Sequence, residues 1–473
     1  MLIRYLRYLK NRIIMQPKKN VITIVGTTGV GKSQLSIDLA KAINGEIINA
    51  DSMQMYKKLD VITNKHPIEE RDGIVHHVMN HINWDEEYFI HKFNQEASAA
   101  IEDIHSRGKV PIVVGGTHYY LSSLLFRNKT IGSKVEEKNE LTPSQIELLD
   151  GPVEEIFTEL NRLDPIIAGK FHPQDRRKLR RALEIYYTTE KKTSELYLEQ
   201  KYDELEDSSL KFNTLVLWVY SEPDVLRPRL DTRVDKMMEI GALEEIKELY
   251  EFYKLQDPKP DLTRGIWQVI GFKEFLTWLE TSNEDFQEGV EKMKIRTRQY
   301  AKSQIKWIKN LLATELNKES RFNFQYGGKM YLLDATDLSL WSQNVREIGV
   351  NITKKFLTTG PKSVTEMQTP EHLKDVFPTA DNLEALKSNK KLGSESSWKH
   401  FTCELCTDKN GNPFTAVGED NYKIHLAGRR HKRKIGSNER KRKHEEMIKL
   451  HNKDDKKDDN KDNKELDNQE KLH

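Results

Sequence analysis

The stretch "GTTGVGKS" at residues 26–33 sets Gly26, Gly31, Lys32 and Ser33 at the spacing of a phosphate-gripping loop. It follows the β-branched run Val21-Ile22-Thr23-Ile24-Val25, so a strand at 21–25 feeds the loop and a helix at 32–43 leaves it. The glycines let the backbone curl through Thr27, Thr28, Gly29 and Val30, so that successive N–H groups and the helix N-terminus face a diphosphate-sized anion. Lys32 adds a point charge, and the Ser33 hydroxyl can ligate Mg²⁺. The loop alone does not say which diphosphate. An ATPase needs an apolar strand ending in an aspartate that holds Mg²⁺, yet "IVVGG" at 112–116 ends in glycines. Asp51 closes the early run "EIINAD" and is followed by "SMQMY". That arrangement fits a kinase-like or group-transfer enzyme better than a motor or switch.

A second chemical set lies far downstream. "CELC" supplies Cys403 and Cys406, the only two cysteines, and "HLAGRRH" supplies His425 and His431. Two thiolates and two imidazoles make a closed tetrahedral Zn²⁺ site with no open position, hence structural. No disulfide framework is implied. A unit this small has little core and should unfold without metal.

These groups need a scaffold, and the pattern from 21 to 126 supplies one. Strands at 21–25, at 46–51 and within "KVPIVVGGTHYY" (109–120) alternate with helices, which indicates a parallel sheet buried on both faces. Ligands in such sheets sit at the carboxyl ends of the strands. The loop, Asp51 and Gly115-Gly116-Thr117 should therefore converge. Residues 127–205 read as a charged helical insertion, with "DRRKLRRALEIYY" (175–187) as an amphipathic helix carrying a basic face. The sheet returns at "FNTLVLWVY" (212–220), helices fill 224–312, and "MYLLDAT" (330–336) is a last short strand. The expected fold class is α/β: a P-loop NTPase-like parallel core, a helical insertion and a small C-terminal zinc finger. The expected boundaries are 21–126, 127–205, 206–345, a linker over 346–397, the finger over 398–435 and a charged tail over 436–473.

The 473 residues are 37% hydrophobic and 32% charged, with a net charge of +2 that hides local asymmetry. No run of about 18 apolar residues is present, so no membrane span is expected. Residues 1–20 hold six basic residues and no acid, with Leu2, Leu6, Leu9 and Ile13 at helical spacing. This fits a mitochondrial presequence or a basic arm. A start at Met15 would remove it and leave the enzyme body, which predicts mitochondrial and cytoplasmic forms. "KRKIGSNERKRK" also reads as a nuclear patch.

Six segments occur in a fixed order: "GTTGVGKS", "DSMQMY" (51–56), "TNKHP" (63–67), "VGGTHYYL" (114–121), "WQVIGFKEF" (267–275) and "RTRQYAKSQIKW" (296–307). Together they resemble the tRNA dimethylallyltransferases, the fungal members most, over roughly 21–312 and the C-terminal finger. The resemblance implies transfer of a dimethylallyl group from dimethylallyl diphosphate to the exocyclic amine of the adenosine 3′-adjacent to the anticodon. It implies Asp51 as general base, Thr28 near the donor oxygen that carries the transferred group, and Lys32, Arg229 and Arg233 near the diphosphate, with Mg²⁺. Ser52, Met53, Gln54 and Thr117 match tRNA contacts, as do Arg177, Lys178, Leu179, Arg180, Arg181, Gln268 and Lys273. Tyr119, Tyr120 and Trp267 are stacking candidates, although aromatics beside an apolar strand are more often core. Arg176 joins the basic cluster of 176–181, and Arg429, Arg430, Lys432, Arg433 and Lys434 in the matrin-like finger suit RNA phosphates. A solvated charged face is the plainer reading of both. Lys178 and Ser303 stand where the family usually has arginine, which replaces a forked grip by a point charge at Lys178.

The implied partners are the tRNA anticodon stem-loop and dimethylallyl diphosphate, with the protein a monomer. Two alternatives stay open. An adenylate isopentenyltransferase acting on free nucleotide would need neither basic helix nor finger. A non-catalytic RNA-binding finger protein would not need Gly31, Lys32, Ser33 and Asp51 intact.

Overall fold

A computed structural model describes residues 18–127, 139–281, 286–364, 370–376, 399–408, 411–437 and 439–440. The chain divides into two compact units, 1–130 with 200–389 and 131–199 with 390–473. The expected presequence and charged tail lie, but for 18–20, 436–437 and 439–440, outside the described residues.

The first unit is built on six parallel strands in the order β3-β2-β4-β1-β5-β6. They are β1 (Asn20–Gly26), β2 (Gly45–Asn49), β3 (His76–His77), β4 (Val110–Val114), β5 (Asn213–Tyr220) and β6 (Gly327–Asp334). Side chains alternate along β1, and both faces are apolar. Val21 and Val25 join one buried cluster with Phe93, Ile101 and Leu121, while Ile22 and Ile24 join another with Leu35, Leu39 and Phe356. Sandwiching β1 between β4 and β5 places the loop after it at the middle of the carboxyl edge.

The helix after the loop spans Lys32–Ile43, as the sequence predicts. One strand goes unannounced by the sequence, and one expectation needs correction. Edge strand β3 carries only His76 and His77, pairing with Ile47 and Ile48, and offers no apolar signal. The linker expected from 346 begins instead with an ordered helix, Ile348–Thr359. Ile352 and Phe356 recur on one face of it and are buried against the sheet, so the segment is part of the core.

In the second unit, helices Pro143–Asp150, Val153–Leu163, Pro165–Lys170 and Arg176–Thr189 enclose a core that includes Leu149, Ile156, Leu160, Leu179 and Leu183. The finger belongs to this same unit as a hairpin, β7 (His400–Thr407) and β8 (Pro413–Val417), followed by the helix Glu419–Ala427. His172 Nε2 meets Thr415 O at 3.0 Å, His400 Nε2 meets Phe171 O at 2.8 Å, and Phe157 packs on the His400 ring.

Candidate active site

The carboxyl edge of the first unit's sheet opens into a cavity of about 660 Å³, within the size range of small-molecule sites. Gly31 caps the Lys32–Ile43 helix at φ +91°, and a Cβ there would lie 2.6 Å from the Trp341 ring. Only glycine lets the loop turn into the helix at that point. In the turn after β4, a Cβ on Gly115 would lie 2.2 Å from the Ala50 carbonyl carbon. This close approach of the β2 and β4 ends brings Asp51 beside Gly116, both lining the cavity.

Thr28, Gly29, Gly31, Lys32 and Ser33 line one side of the cavity, and Arg233 reaches it from the Pro223–Glu239 helix. The Arg233 Nη2 donates to Thr28 Oγ1 at 2.6 Å. That engages an oxygen lone pair and leaves the hydroxyl proton to aim elsewhere. Arg233 Nε and Thr27 Oγ1 are buried with no hydrogen-bond partner among the described residues. Of the two, Arg233 lines the cavity, and an open guanidinium donor there is one that an anion can satisfy. Lys32 Nζ donates to Thr27 O at 2.6 Å. Burial, with help from Arg233, lowers the Lys32 ammonium to about 8, partly offset by Asp51. Burial brings Arg233 down to about 10, which leaves it charged at neutral pH.

Asp51 accepts the Met53 N–H at 3.1 Å through Oδ1. Its backbone is clamped by Asn49, whose Oδ1 accepts the Asp51 N–H at 3.0 Å and whose Nδ2 donates to Asp51 O at 3.1 Å. Burial lifts the Asp51 carboxyl above its ordinary value, and the Met53 N–H, Lys32 and Arg233 oppose the shift. A carboxylate made more basic by its surroundings, facing a cationic cradle, can take a proton while an anion departs.

Sequence comparison decides the family. Residues 54–311 match the IPP transferase family model, and residues 19–75 match isopentenyl transferase. The tRNA dimethylallyltransferase of Saccharomyces cerevisiae is 48% identical over 428 residues, 89% of this chain and 93% of that protein. That of Schizosaccharomyces pombe is 39% identical over 450 residues, 92% and 98% of the two chains. A solved eukaryotic dimethylallyltransferase acting on tRNA superposes with a TM-score of 0.76 at 48% identity, covering 91% of this chain and 99% of that one. The chain belongs to the tRNA dimethylallyltransferase family.

Against that family's motifs, the expected site residues separate into groups. Thr28, Gly29, Gly31, Lys32, Ser33, Asp51, Gln54 and Arg233 line one cavity. Arg229 does not. Although it sits one helical turn from Arg233, its guanidinium donates to Ala335 O and Thr336 O at 3.1 and 2.9 Å, tying the helix to the end of β6. Val30 is buried in the core beneath the loop, and Gly26 ends β1. Ser52 donates its N–H to Thr117 Oγ1 at 2.9 Å, which joins the turn after β2 to the turn after β4. Tyr120 stacks on Phe93 and Trp267 on Phe252, both within the core, so neither is a free stacking platform; Tyr119 is 55% exposed. Gln268 and Lys273 are exposed, and Gln268 Nε2 donates to Gly265 O.

The Arg176–Thr189 helix of this dimethylallyltransferase family member needs a like revision. Leu179 is fully buried in the second unit's core and cannot meet RNA through its side chain. Arg176 donates to Gly151 O and Leu149 O, and Arg180 to Leu149 O and Asp150, so both hold the end of the Pro143–Asp150 helix. Lys178 pairs with Asp175 and Arg181 with Glu184, both at 2.7 Å, while Arg177 is exposed. In the finger, Cys403, Cys406, His425 and His431 bring one ligand atom each within 4.8 Å of one another. His425 Nε2 is buried without a partner. A soft thiolate–imidazole set with an orphaned nitrogen fits a metal such as zinc. Arg429, Lys432, Arg433 and Lys434 are exposed beside it, and Arg430 donates to Thr407 O.

Sequence reasoning gave no role to Gln304 and His118, although both fall inside quoted motifs. Gln304 Oε1 accepts the Thr28 N–H at 2.8 Å, and its Nε2 donates to Gly116 O at 3.1 Å. His118 stacks on Trp307 with ring centroids 4.5 Å apart, and burial holds it far below its ordinary value, at about 3 and neutral.

Proposed function

We propose that this protein transfers a dimethylallyl group from dimethylallyl diphosphate to the N6 amine of the adenosine 3′-adjacent to the anticodon in tRNA. The observation that carries the reading is one cavity holding both an anion cradle, Lys32, Arg233 and the loop amides, and a basic carboxylate, Asp51. The adenine amine is a weak nucleophile because its lone pair is delocalised into the ring. Asp51 accepts its N–H hydrogen bond and takes its proton as the nitrogen bonds to the allylic carbon. The carbon–oxygen bond breaks, and diphosphate leaves with the electron pair. Lys32 and Arg233 stabilise that growing charge, and the Thr28 hydroxyl, held by Arg233, faces the departing oxygen.

Ser33 is the residue that would hold a Mg²⁺ ion, which would supply further neutralisation of the diphosphate charge. Cys403, Cys406, His425 and His431 would hold Zn²⁺ in a structural role, with no position left for catalysis. To reach Asp51 the base must leave the anticodon-loop stack. Arg177 and the exposed cations of the finger are suited to phosphates, whose contacts fix position without reading sequence. The test is transfer of label from dimethylallyl diphosphate, with Mg²⁺, to tRNA bearing adenosine at the target position and to free AMP. Label in tRNA alone is expected; label in AMP and none in tRNA would overturn the assignment.

A further inference from the structure

We propose that Gln304 is a positioning residue that sets the spacing between the leaving-group cradle and the base-facing wall of the site. Gln304 lies on the Phe286–Trp307 helix and is 3% exposed. Its carboxamide spends its acceptor on the Thr28 N–H and a donor on Gly116 O. Those two backbone atoms belong to the turns after two neighbouring strands, β1 and β4, and both turns line the cavity. Thr28 lies in the loop that meets the diphosphate, and Gly116 adjoins Asp51: a Cβ on Gly116 would lie 3.3 Å from Asp51 Oδ2 and 2.5 Å from Gln304 Nε2. Tyr300, one helical turn earlier, donates its OH to the same Gly116 carbonyl at 3.1 Å.

The helix is itself fixed to the one that carries Arg233. Arg298 binds Asp231 through both carboxylate oxygens, at 2.6 and 2.7 Å, and Lys294 pairs with Asp235 at 2.7 Å. One helix thus sets three elements at once: Thr28, Gly116 beside Asp51, and the support of Arg233. Gln304 is the member that touches both turns. It also occupies the Thr28 amide, so that N–H braces the loop, and Thr28 meets substrate through its hydroxyl. An amine and an allylic carbon react only when held a little over 3 Å apart, and a displacement of about 1 Å costs roughly 10²-fold in rate.

The inference rests on the prenyl-transfer reading, and its test separates the two. Gln304→Leu keeps the shape and loses both bonds. Gln304→Glu keeps the acceptor for Thr28, and can donate to Gly116 O only when the introduced carboxyl is protonated. That carboxyl would be buried near Asp51, which favours its neutral form. For Gln304→Leu, kcat should fall by about 10²-fold with both KM values within about threefold of wild type, and amide hydrogen exchange in the peptide spanning Thr28 should speed up. For Gln304→Glu, exchange at Thr28 should stay slow. Its activity relative to wild type should rise as pH falls, a profile that general loss of structure does not produce. A Gln304→Leu enzyme with wild-type kcat, or a Gln304→Glu enzyme with no gain at low pH, overturns the proposal. Unchanged exchange at Thr28 in Gln304→Leu overturns it even if the wild-type protein prenylates nothing.

Discussion

Replacing Asp51 by asparagine tests the base directly. The substitution keeps the side-chain volume and the Oδ1 acceptor for the Met53 N–H, so the turn after β2 should hold. It removes the negative charge that faces Lys32 and Arg233, together with the proton acceptor. A positioned general base contributes about 10²- to 10⁴-fold, or roughly 3–5 kcal/mol at 1.36 kcal/mol per decade. The wild-type rate should fall as pH drops through the Asp51 pKa, which burial has raised, because protonation disarms the base. The asparagine variant should lack that acid limb. Donor affinity should not weaken, since the lost charge repelled the diphosphate. Stability at neutral pH should not weaken either: a carboxyl whose folded pKa is raised opposes folding once ionised. Steady-state kinetics against both substrates over pH, with a melting curve, checks all of this. A kcat within about threefold of wild type, or a loss confined to the donor KM, would remove Asp51 as base.

Three further outcomes are expected. Lys32 sits at about 8 without donor, and a bound diphosphate should raise it; donor binding at pH 8 should then take up about half a proton, measured calorimetrically in buffers of different ionisation heat. Affinity should fall as pH rises past 8, and Lys32→Met should abolish the uptake. Leu179→Ala should destabilise the second unit by about 2–5 kcal/mol through a core cavity, whereas Arg177→Ala should leave melting unchanged and weaken tRNA binding with a shallower salt dependence. Purified protein should carry one zinc bound by the Cys403, Cys406, His425 and His431 set, read by elemental analysis, and Cys406→Ala should lose both the metal and protease resistance over 399–437.

How much the sequence reveals depends on where each residue's partners lie. β1, the loop and the Lys32–Ile43 helix are legible because glycine spacing, β-branching and helical period all act within one short segment. The convergence of Asp51 and Gly115-Gly116 on the loop follows from the rule for parallel sheets. Arg229 and Arg233 could not be told apart, since both fall on one side of the same helix and only the fold shows which faces the cavity. Leu179 entered the RNA-facing set because it sits among arginines, yet the 3.6-residue period turns it inward. Gln304 stayed silent for another reason: it acts on two backbone atoms 276 and 188 positions away, which no local pattern can signal. The Ile348–Thr359 helix was hidden by mixed polarity, since Gly349 and Thr353 share its buried face with Ile352 and Phe356.

The strand order carries a consequence for synthesis on the ribosome. β1 emerges early, yet its neighbours β4 and β5 end at residues 114 and 220, and β5 gains its outer neighbour only when β6 ends at 334. A nascent chain shorter than that holds an open hydrogen-bonding edge, the kind that invites other chains to pair with it. The helical stretch 139–199 has its own apolar centre and can fold during the wait. Premature termination before residue 334 should therefore yield insoluble product, not a weakened enzyme.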